Sequence, residues 1–426
     1  MDSMNVLFEY YRCPGGLDGM VPAVERPAEV CADILESMLP FDAGEIIENL
    51  RRERYAAAGH KSGWLQNETL RRVYYLLRPL APVAVRRQLQ KLHLRGWEEL
   101  RFPAWPVDRT VERVHKRLLA LTLREKGLKE TPFIWFWPEG QPSCAIMTHD
   151  VETPFAEKAC TRLMDIDDGA GIKSSFQFVP EGRCSLRPEV LWQVRERGFE
   201  INIHDLNHDG HLFDNREEFL RRADRINHFA RFYGAKGFRS AALYRNAEWY
   251  GGLEFSYDMS IPNVAHLDPQ RGGCCTVMPY FIGELLELPV TTAQDYTLFH
   301  MLGEYNIDLW KRQLGLIMEE NGLASFIVHP DYLNSRRATA TYAALLGYLG
   351  ELRAAGKIWM ALPGEVDTWW RERSQMQLVS EDGKWRIEGP GSERARIAYA
   401  TVEGDTVGYR VAPRSSGAAN KPRPPD

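Results

Sequence analysis

The chain has 426 residues, of which 44% are hydrophobic and 26% are charged, a composition typical of a soluble globular protein with room for two or three domains. Its net charge of −5 argues against a nucleic-acid-binding protein, which usually carries a basic excess. No stretch approaches the roughly 20 apolar residues of a membrane-spanning helix. Met1–Met20 has no secretory signal pattern, and the seven cysteines form no CxxC pair. We therefore expect a cytoplasmic protein with reduced thiols.

Residues 1–140 are predicted to form a mostly helical N-terminal extension, with amphipathic stretches near 27–38, 44–57, 66–78 and 82–96. The segment from Arg71 to Lys91 is both basic and amphipathic. One interpretation is a peripheral contact with an anionic surface such as the inner membrane. The other is a helix packed on the protein with its arginines in water.

Residues 143–375 alternate between short β-rich runs and helical segments, which predicts an α/β domain with a parallel sheet. The predicted strands are 143–148, 173–179, 199–203, 237–240, 255–258, 284–290, 324–328 and 358–362. The predicted helices are 155–168, 187–197, 215–233, 306–321, 337–355 and 364–374. This rhythm favours a distorted β/α barrel of seven or eight strands over an open sheet.

The C-terminal region changes character. Residues 376–412 consist of short alternating runs separated by glycine-containing turns, which predicts a small β meander. Residues 413–426 are rich in proline, serine, glycine and alanine and are predicted to be disordered.

Carboxylates and histidines follow two of the predicted strands. Asp150 and Glu152 are two residues apart, a spacing that in a continuing strand points both side chains to one side. One carboxylate could bind a metal while the other acts as a general base. His204 and His208 have the H-x3-H spacing that suits zinc, with Asp209 and His211 nearby as alternative ligands. Polar groups at the ends of several strands are where a β/α barrel carries its chemistry.

Two more strand ends carry candidate catalytic residues. Arg239 follows Gly237-Phe238, and a guanidinium there can hold a carboxylate ionised. His329 follows Phe326-Ile327-Val328, and a histidine can protonate a leaving group near neutral pH. Together these residues predict a metal-dependent hydrolase.

These segments resemble the motifs of the polysaccharide deacetylases with a NodB-homology domain, carbohydrate esterase family 4, over residues 143–375. The matching segments, in family order, are Thr148–Glu152, Glu200–His208, Gly237–Ser240, Tyr257–Ser260 and Phe326–His329. The resemblance implies a NodB-like barrel and removal of N-acetyl groups, with O-acetyl groups as the alternative, from a sugar or polysaccharide such as a bacterial exopolysaccharide.

The resemblance also implies a role for each matching residue. Asp150 would be the base that acts on metal-activated water, Arg239 would orient it, and His329 would be the acid. Glu152, His204 and His208 would bind one divalent metal, with Zn²⁺ expected first and Co²⁺ or Ni²⁺ as alternatives.

The sequence departs from the family pattern after Arg239, where Ala241 and Ala242 replace a proline and an aromatic residue. A backbone N–H near these two alanines would stabilise the oxyanion. The usual tryptophan of the fourth motif is also absent, which leaves Asp258 as the candidate partner of His329. The predicted substrate-binding residues are Ala241, Ala242, Tyr244, Asp258 and Tyr332.

Two other functions remain open at this stage. The same scaffold can host hydrolases of non-sugar C–N bonds such as cyclic ureides. The departures near Ala241 would also be compatible with an inactive carbohydrate-binding protein, although the complete set of metal-ligand candidates argues against that.

Overall fold

The computed structural model describes residues 5–14, 46–59, 94–182 and 187–413. The chain divides into two compact units. The barrel unit comprises Cys31–Glu112 and Gln141–Thr368. The terminal unit comprises Met1–Val30, Arg113–Gly140 and Trp369–Asp426.

The helices are α1 (Asn5–Tyr11), α2 (Ile46–Arg51), α3 (Arg54–Gly59), α4 (Thr110–Glu125), α5 (Pro154–Gly169), α6 (Pro188–Glu196), α7 (Arg216–Tyr233), α8 (Asp308–Glu319), α9 (Arg336–Ala354) and α10 (Pro363–Gln375). The strands of the barrel unit are β2 (Cys144–Val151), β3 (Ser175–Phe178), β4 (Glu200–His204), β5 (Gly237–Arg239), β6 (Tyr257–Asp258), β7 (Tyr280–Ile282), β8 (Leu285–Glu287), β9 (Leu323–Ile327) and β10 (Trp359–Ala361). All eight strands and six helices predicted within 143–375 are present. Strand β7 was not predicted.

The strands of the barrel unit form one curved sheet in the order β10-β2-β3-β4-β5-β6-β8-β7, with β9 also paired to β2. All pairs are parallel except β7 with β8. Every residue of β2 is buried, as expected of a parallel strand with both faces covered. The hydroxyls of Thr291 and Thr292, which follow β8, donate to the carbonyls of Leu323 and Ser325 on β9, at 2.8 and 2.7 Å. The predicted distorted β/α barrel is therefore confirmed.

Local capping explains why helix α5 begins directly after the first strand of the site. Thr153 has an extended backbone, and its hydroxyl accepts a hydrogen bond from the N–H of Ala156 at 3.1 Å. Pro154 occupies the first helical turn, where its missing N–H costs nothing. Glu152 is thereby placed at the junction between β2 and α5.

Gly237 allows strand β5 to pass close to its neighbours. A Cβ atom at this position would overlap the ring of Tyr257 and lie 2.7 Å from Oδ1 of Asn202. We expect Gly237→Ala to lower the free energy of unfolding by about 1–3 kcal/mol, because a packed interior resists an added methyl group. Thermal unfolding beside Gly251→Ala, where no atom lies within 4 Å, would check this. Equal melting temperatures for the two variants would contradict the prediction.

The terminal unit joins the predicted C-terminal meander to a strand from the N-terminal region. Strand β1 (Glu130–Ile134) pairs antiparallel with β13 (Ile397–Glu403), which pairs with β14 (Thr406–Val411); β11 (Gln377–Glu381) and β12 (Lys384–Glu388) form a separate hairpin. The sequence analysis missed β1. A stretch of about 35 residues rarely supports a core alone, so the extra strand supplies the missing apolar surface.

A buried arginine on α10 bonds to two earlier segments of the terminal unit. The guanidinium of Arg373 donates to the carbonyls of Trp135, Tyr10 and Ile134, at 3.0, 2.9 and 2.7 Å. Burial lowers the pKa of Arg373 to about 9. The three carbonyls satisfy a cation that has little access to water.

Of the predicted N-terminal helices, the stretch 44–57 appears as α2 and α3. The stretches 27–38 and 66–78, most of 82–96, the basic segment from Arg71 to Lys91 and residues 414–426 lie outside the described residues. Within the described ranges, no helix combines the length and apolar character needed to cross a membrane.

Candidate active site at the carboxyl ends of the strands

Three potential metal ligands converge above the sheet. Glu152 follows β2, His204 ends β4, and His208 lies in the loop after β4. Oε1 of Glu152 lies 3.1 Å from Nε2 of His208 and 3.4 Å from Nε2 of His204. In a tetrahedral zinc site with bonds of about 2.1 Å, neighbouring ligand atoms are roughly 3.4 Å apart. The separations fit such a site.

The two histidines are oriented for metal binding. Nδ1 of His204 donates to the carbonyl of Arg239 at 3.1 Å, which leaves the Nε2 lone pair directed towards Glu152. His208 has a φ of 56°. Its Nε2 is buried, and within the described ranges no group forms a well-aligned hydrogen bond with it, although Oε1 of Glu152 is near. Because buried polar atoms are normally partnered, this atom suits a cation.

The two alternative ligands have other partners. Asp209 accepts two hydrogen bonds from the guanidinium of Arg222, at 2.7 and 2.9 Å. Nδ1 of His211 lies 2.8 Å from Oδ2 of Asp214. Among the described residues, two clusters have metal-ligand geometry, Glu152-His204-His208 and Asp150-Glu152-His329. Neither Asp209 nor His211 belongs to them.

Asp150 is held by a buried arginine. Nη1 of Arg239 donates to Oδ1 of Asp150 at 2.6 Å and to the hydroxyl of Thr148 at 2.8 Å, while its Nε donates to the carbonyl of Met259 at 3.0 Å. Burial raises the pKa of Asp150, but the charge of Arg239, followed by the charges of His204 and His329, lowers it by more. Asp150 is therefore an ionised carboxylate at neutral pH.

His329 is held by Asp295. Its Nδ1 lies 2.7 Å from Oδ1 of Asp295, and its backbone N–H donates to Oδ2 at 2.8 Å. Its Nε2 lies 3.5 Å from Oε1 of Glu152 and 3.9 Å from Oδ2 of Asp150. Burial lowers the pKa of His329, but the charge of Asp295 and further contacts with Asp295 and Glu152 raise it well above its usual value. His329 can therefore carry a proton to the centre of the site.

Asp295 corrects the sequence analysis, which offered Asp258 as the partner of His329. Asp258 ends β6 and is fully buried, where Oδ1 accepts from the hydroxyl of Ser260 at 2.7 Å. It is in register with Glu287 of β8, and burial raises the pKa of both carboxyls. Two buried carboxyls side by side cannot both ionise, so this pair retains a proton. The signal for Asp295 was its position shortly after the predicted strand 284–290.

The other predicted substrate-binding residues lie at the loops around the site. The N–H of Ala241 donates to Oδ2 of Asp205 at 3.3 Å, so it is already engaged. Ala242 is exposed with a φ of 52° and is the remaining candidate for the oxyanion donor. Tyr244 is half-buried two residues further on. The ring of Tyr332 lies 4.9 Å from that of His329, between their centroids, and forms one wall beside it.

The similarities of this chain to known proteins are found among solved structures. No protein-family model matches the sequence, and no curated protein matches it. Among solved structures, a Mycobacterium smegmatis chain assigned as a polysaccharide deacetylase is 19% identical with a TM-score of 0.46, and the alignment covers 59% of this chain and 98% of that one. PuuE allantoinase is 13% identical with a TM-score of 0.42, covering 55% and 92%.

Many of the structural neighbours are polysaccharide or peptidoglycan deacetylases. Peptidoglycan deacetylase PdaC from Bacillus subtilis, for example, is 11% identical with a TM-score of 0.35, covering 56% of this chain and 95% of that one. At such low identities, the function has to be argued from the site itself.

Proposed function

We propose that this protein is a metal-dependent hydrolase that removes N-acetyl groups, with O-acetyl groups as the alternative, from a sugar or polysaccharide. The observation that carries the proposal is the arrangement around Glu152, His204 and His208. Oδ2 of Asp150, a carboxylate held by Arg239, lies 3.8 Å from Nε2 of His204, and Nε2 of His329, a histidine held by Asp295, lies 3.5 Å from Oε1 of Glu152. Three protein ligands with an open position are typical of catalytic zinc sites, whereas structural zinc sites are closed by four.

One divalent cation would be held by Glu152, His204 and His208. Two imidazoles and a carboxylate suit Zn²⁺ first, and Co²⁺ or Ni²⁺ also accept such ligands. When bound, the cation would polarise the acetyl carbonyl and make water a better nucleophile.

Asp150 would act as the general base. Its Oδ1 is occupied by Arg239, whereas Oδ2 faces the imidazoles of His204 and His329, at 3.8 and 3.9 Å. Oδ2 would take a proton from the water that attacks the acetyl carbonyl. Arg239 fixes the orientation of the carboxylate through its hydrogen bond to Oδ1.

His329 would act as the general acid. As the bond between the acetyl carbon and nitrogen breaks, Nε2 would give its proton to the departing amine, and acetate would be the other product. Asp295 compensates the imidazolium charge before this step, and the N–H of Ala242 would bind the oxyanion.

The proposal is tested by acetate release from the metal-loaded protein. We would offer N-acetylglucosamine oligomers, O-acetylated xylan and a cyclic ureide as substrates. Release of acetate with a free amine is the expected result. Ring opening of the ureide alone would favour the hydrolase of non-sugar C–N bonds. Metal binding without any turnover would favour a carbohydrate-binding protein.

Asp295 provides a separate prediction for the acid. We expect Asp295→Asn to lower kcat for acetate release by about 10²-fold or more, because the amide cannot compensate the imidazolium and general acid catalysis contributes at least that much. Zinc content should be unchanged. Asp214→Asn, which alters a histidine–aspartate pair outside the site, is the matched control. A normal kcat for Asp295→Asn would contradict the role of His329 as the acid.

A further inference from the structure

The peptide group that joins Val328 to His329 is held at both of its polar atoms by buried side chains. Its carbonyl oxygen, on Val328, accepts from Nδ1 of His149 at 2.9 Å. Its N–H, on His329, donates to Oδ2 of Asp295 at 2.8 Å. His149 and Asp295 are both 0% exposed. This peptide plane cannot rotate without breaking two hydrogen bonds in a medium where water cannot replace them.

The far side of the His149 ring is anchored to two helices. Its Nε2 lies 3.0 Å from Oδ2 of Asp167 on α5. Asp167 also accepts from the hydroxyls of Ser174, at 2.6 Å, and Tyr342 on α9, at 2.5 Å. The carbonyl of Val328 can only accept, so Nδ1 of His149 is the donor of that hydrogen bond. The polar atoms of this network are all partnered.

His149 also belongs to the strand that carries the base. It lies between Thr148 and Asp150 in β2, and successive side chains of a strand point to opposite faces. Asp150 therefore faces the site while His149 faces the helices. Backbone bonding reinforces this link, since the N–H of Val328 donates to the carbonyl of Thr148 at 3.0 Å.

We propose that His149 is a positioning residue that sets the place of His329 relative to Asp150 through the carbonyl of Val328. The imidazole acts as a rigid spacer between Asp167 and that carbonyl. The inference rests on the proposed function for the role of His329 as the acid, and it requires no contact between His149 and the substrate or the metal.

Two substitutions test the two ring nitrogens of His149 separately. Asparagine places an amide nitrogen near the position of Nδ1, whereas glutamine places one near the position of Nε2. We expect His149→Gln to lower kcat by about 10²-fold with KM and zinc content near normal, because a small displacement of a catalytic group has an effect of that size. His149→Asn combined with Asp167→Asn, which avoids an unpaired buried charge, should stay within about 10-fold of normal. His228→Gln, at an exposed position of α7, is the control.

The pattern of losses decides the outcome. The positioning role would be overturned if His149→Gln and the double variant lost kcat equally and each loss matched a fall in melting temperature. Crystal structures of the wild type and His149→Gln give a test that does not depend on activity. The His329 ring should be displaced in the variant, and an unchanged ring would overturn the proposal even for an active enzyme. Absence of wild-type deacetylation together with a displaced ring would instead overturn only the proposed function.

Discussion

Replacing Asp150 with asparagine is expected to lower kcat for acetate release by about 10²–10⁴-fold, the usual contribution of a general base. The amide has almost the shape of the carboxylate but cannot accept a proton from the attacking water. KM should change little, because the contacts of Oδ1 of Asp150 are internal to the protein. This oxygen accepts from Nη1 of Arg239, which also donates to the hydroxyl of Thr148. The zinc content should stay at the wild-type level, because Glu152, His204 and His208 are intact.

The experiment compares kcat, zinc content and melting temperature for Asp150→Asn and Asp224→Asn. Asp224 is exposed on α7, so its substitution makes the same chemical change far from β2 in the chain. Asp150→Asn also leaves the buried Arg239 without its carboxylate, so some loss of stability is expected. A folded, zinc-loaded Asp150→Asn protein with the wild-type kcat would rule out Asp150 as the base.

Loss of the metal site is expected to remove activity altogether. The wild type should retain about one zinc per chain after dialysis, whereas His204→Ala and Glu152→Gln should retain none, because each removes one of only three protein ligands. Zinc added to the metal-free wild type at 100 times its Kd should raise the free energy of unfolding by about 2.7 kcal/mol. The same addition should leave the unfolding of His204→Ala unchanged.

Elemental analysis and thermal unfolding check these outcomes, with His211→Ala as the control. His211 lies three residues after His208 but is engaged by Asp214, so this variant should bind zinc normally. Loss of zinc in His211→Ala as well would mean that the ligand set has been assigned wrongly. No zinc in the wild type, even after zinc is supplied, would contradict a metal-dependent reaction.

Much of the barrel could be predicted because its strands have recognisable local sequence patterns. A strand buried on both faces, such as β2, is a short apolar run, and the helices between strands have amphipathic periods. Strand ends are equally local, so Asp150 and His329 could be recognised as site candidates from the residues just before them. Strand β1 escaped prediction because its stability comes from pairing with β13, more than 260 residues later in the chain.

The candidate site shows the same division. Its ligands follow apolar runs, and their spacing and order in the chain are visible without a structure. Asp295 and His329 are 34 residues apart, and the residues near each give no indication that the two side chains pair. Asp258 was the more plausible candidate by motif, yet its register with Glu287 places it among buried carboxyls.

The sequence by itself determined eight strands of the barrel unit and the polar side chains that stand at their ends, since both depend on neighbours within a few residues. The tertiary structure alone decided which carboxylate meets which histidine. It paired Asp150 with Arg239, His329 with Asp295, and His149 with Asp167 and the carbonyl of Val328. These contacts join residues from 18 to 179 positions apart, at distances set by how strands and helices pack. Hydrogen-bond geometry depends on tenths of an ångström, and residue spacing along the chain carries no information of that kind.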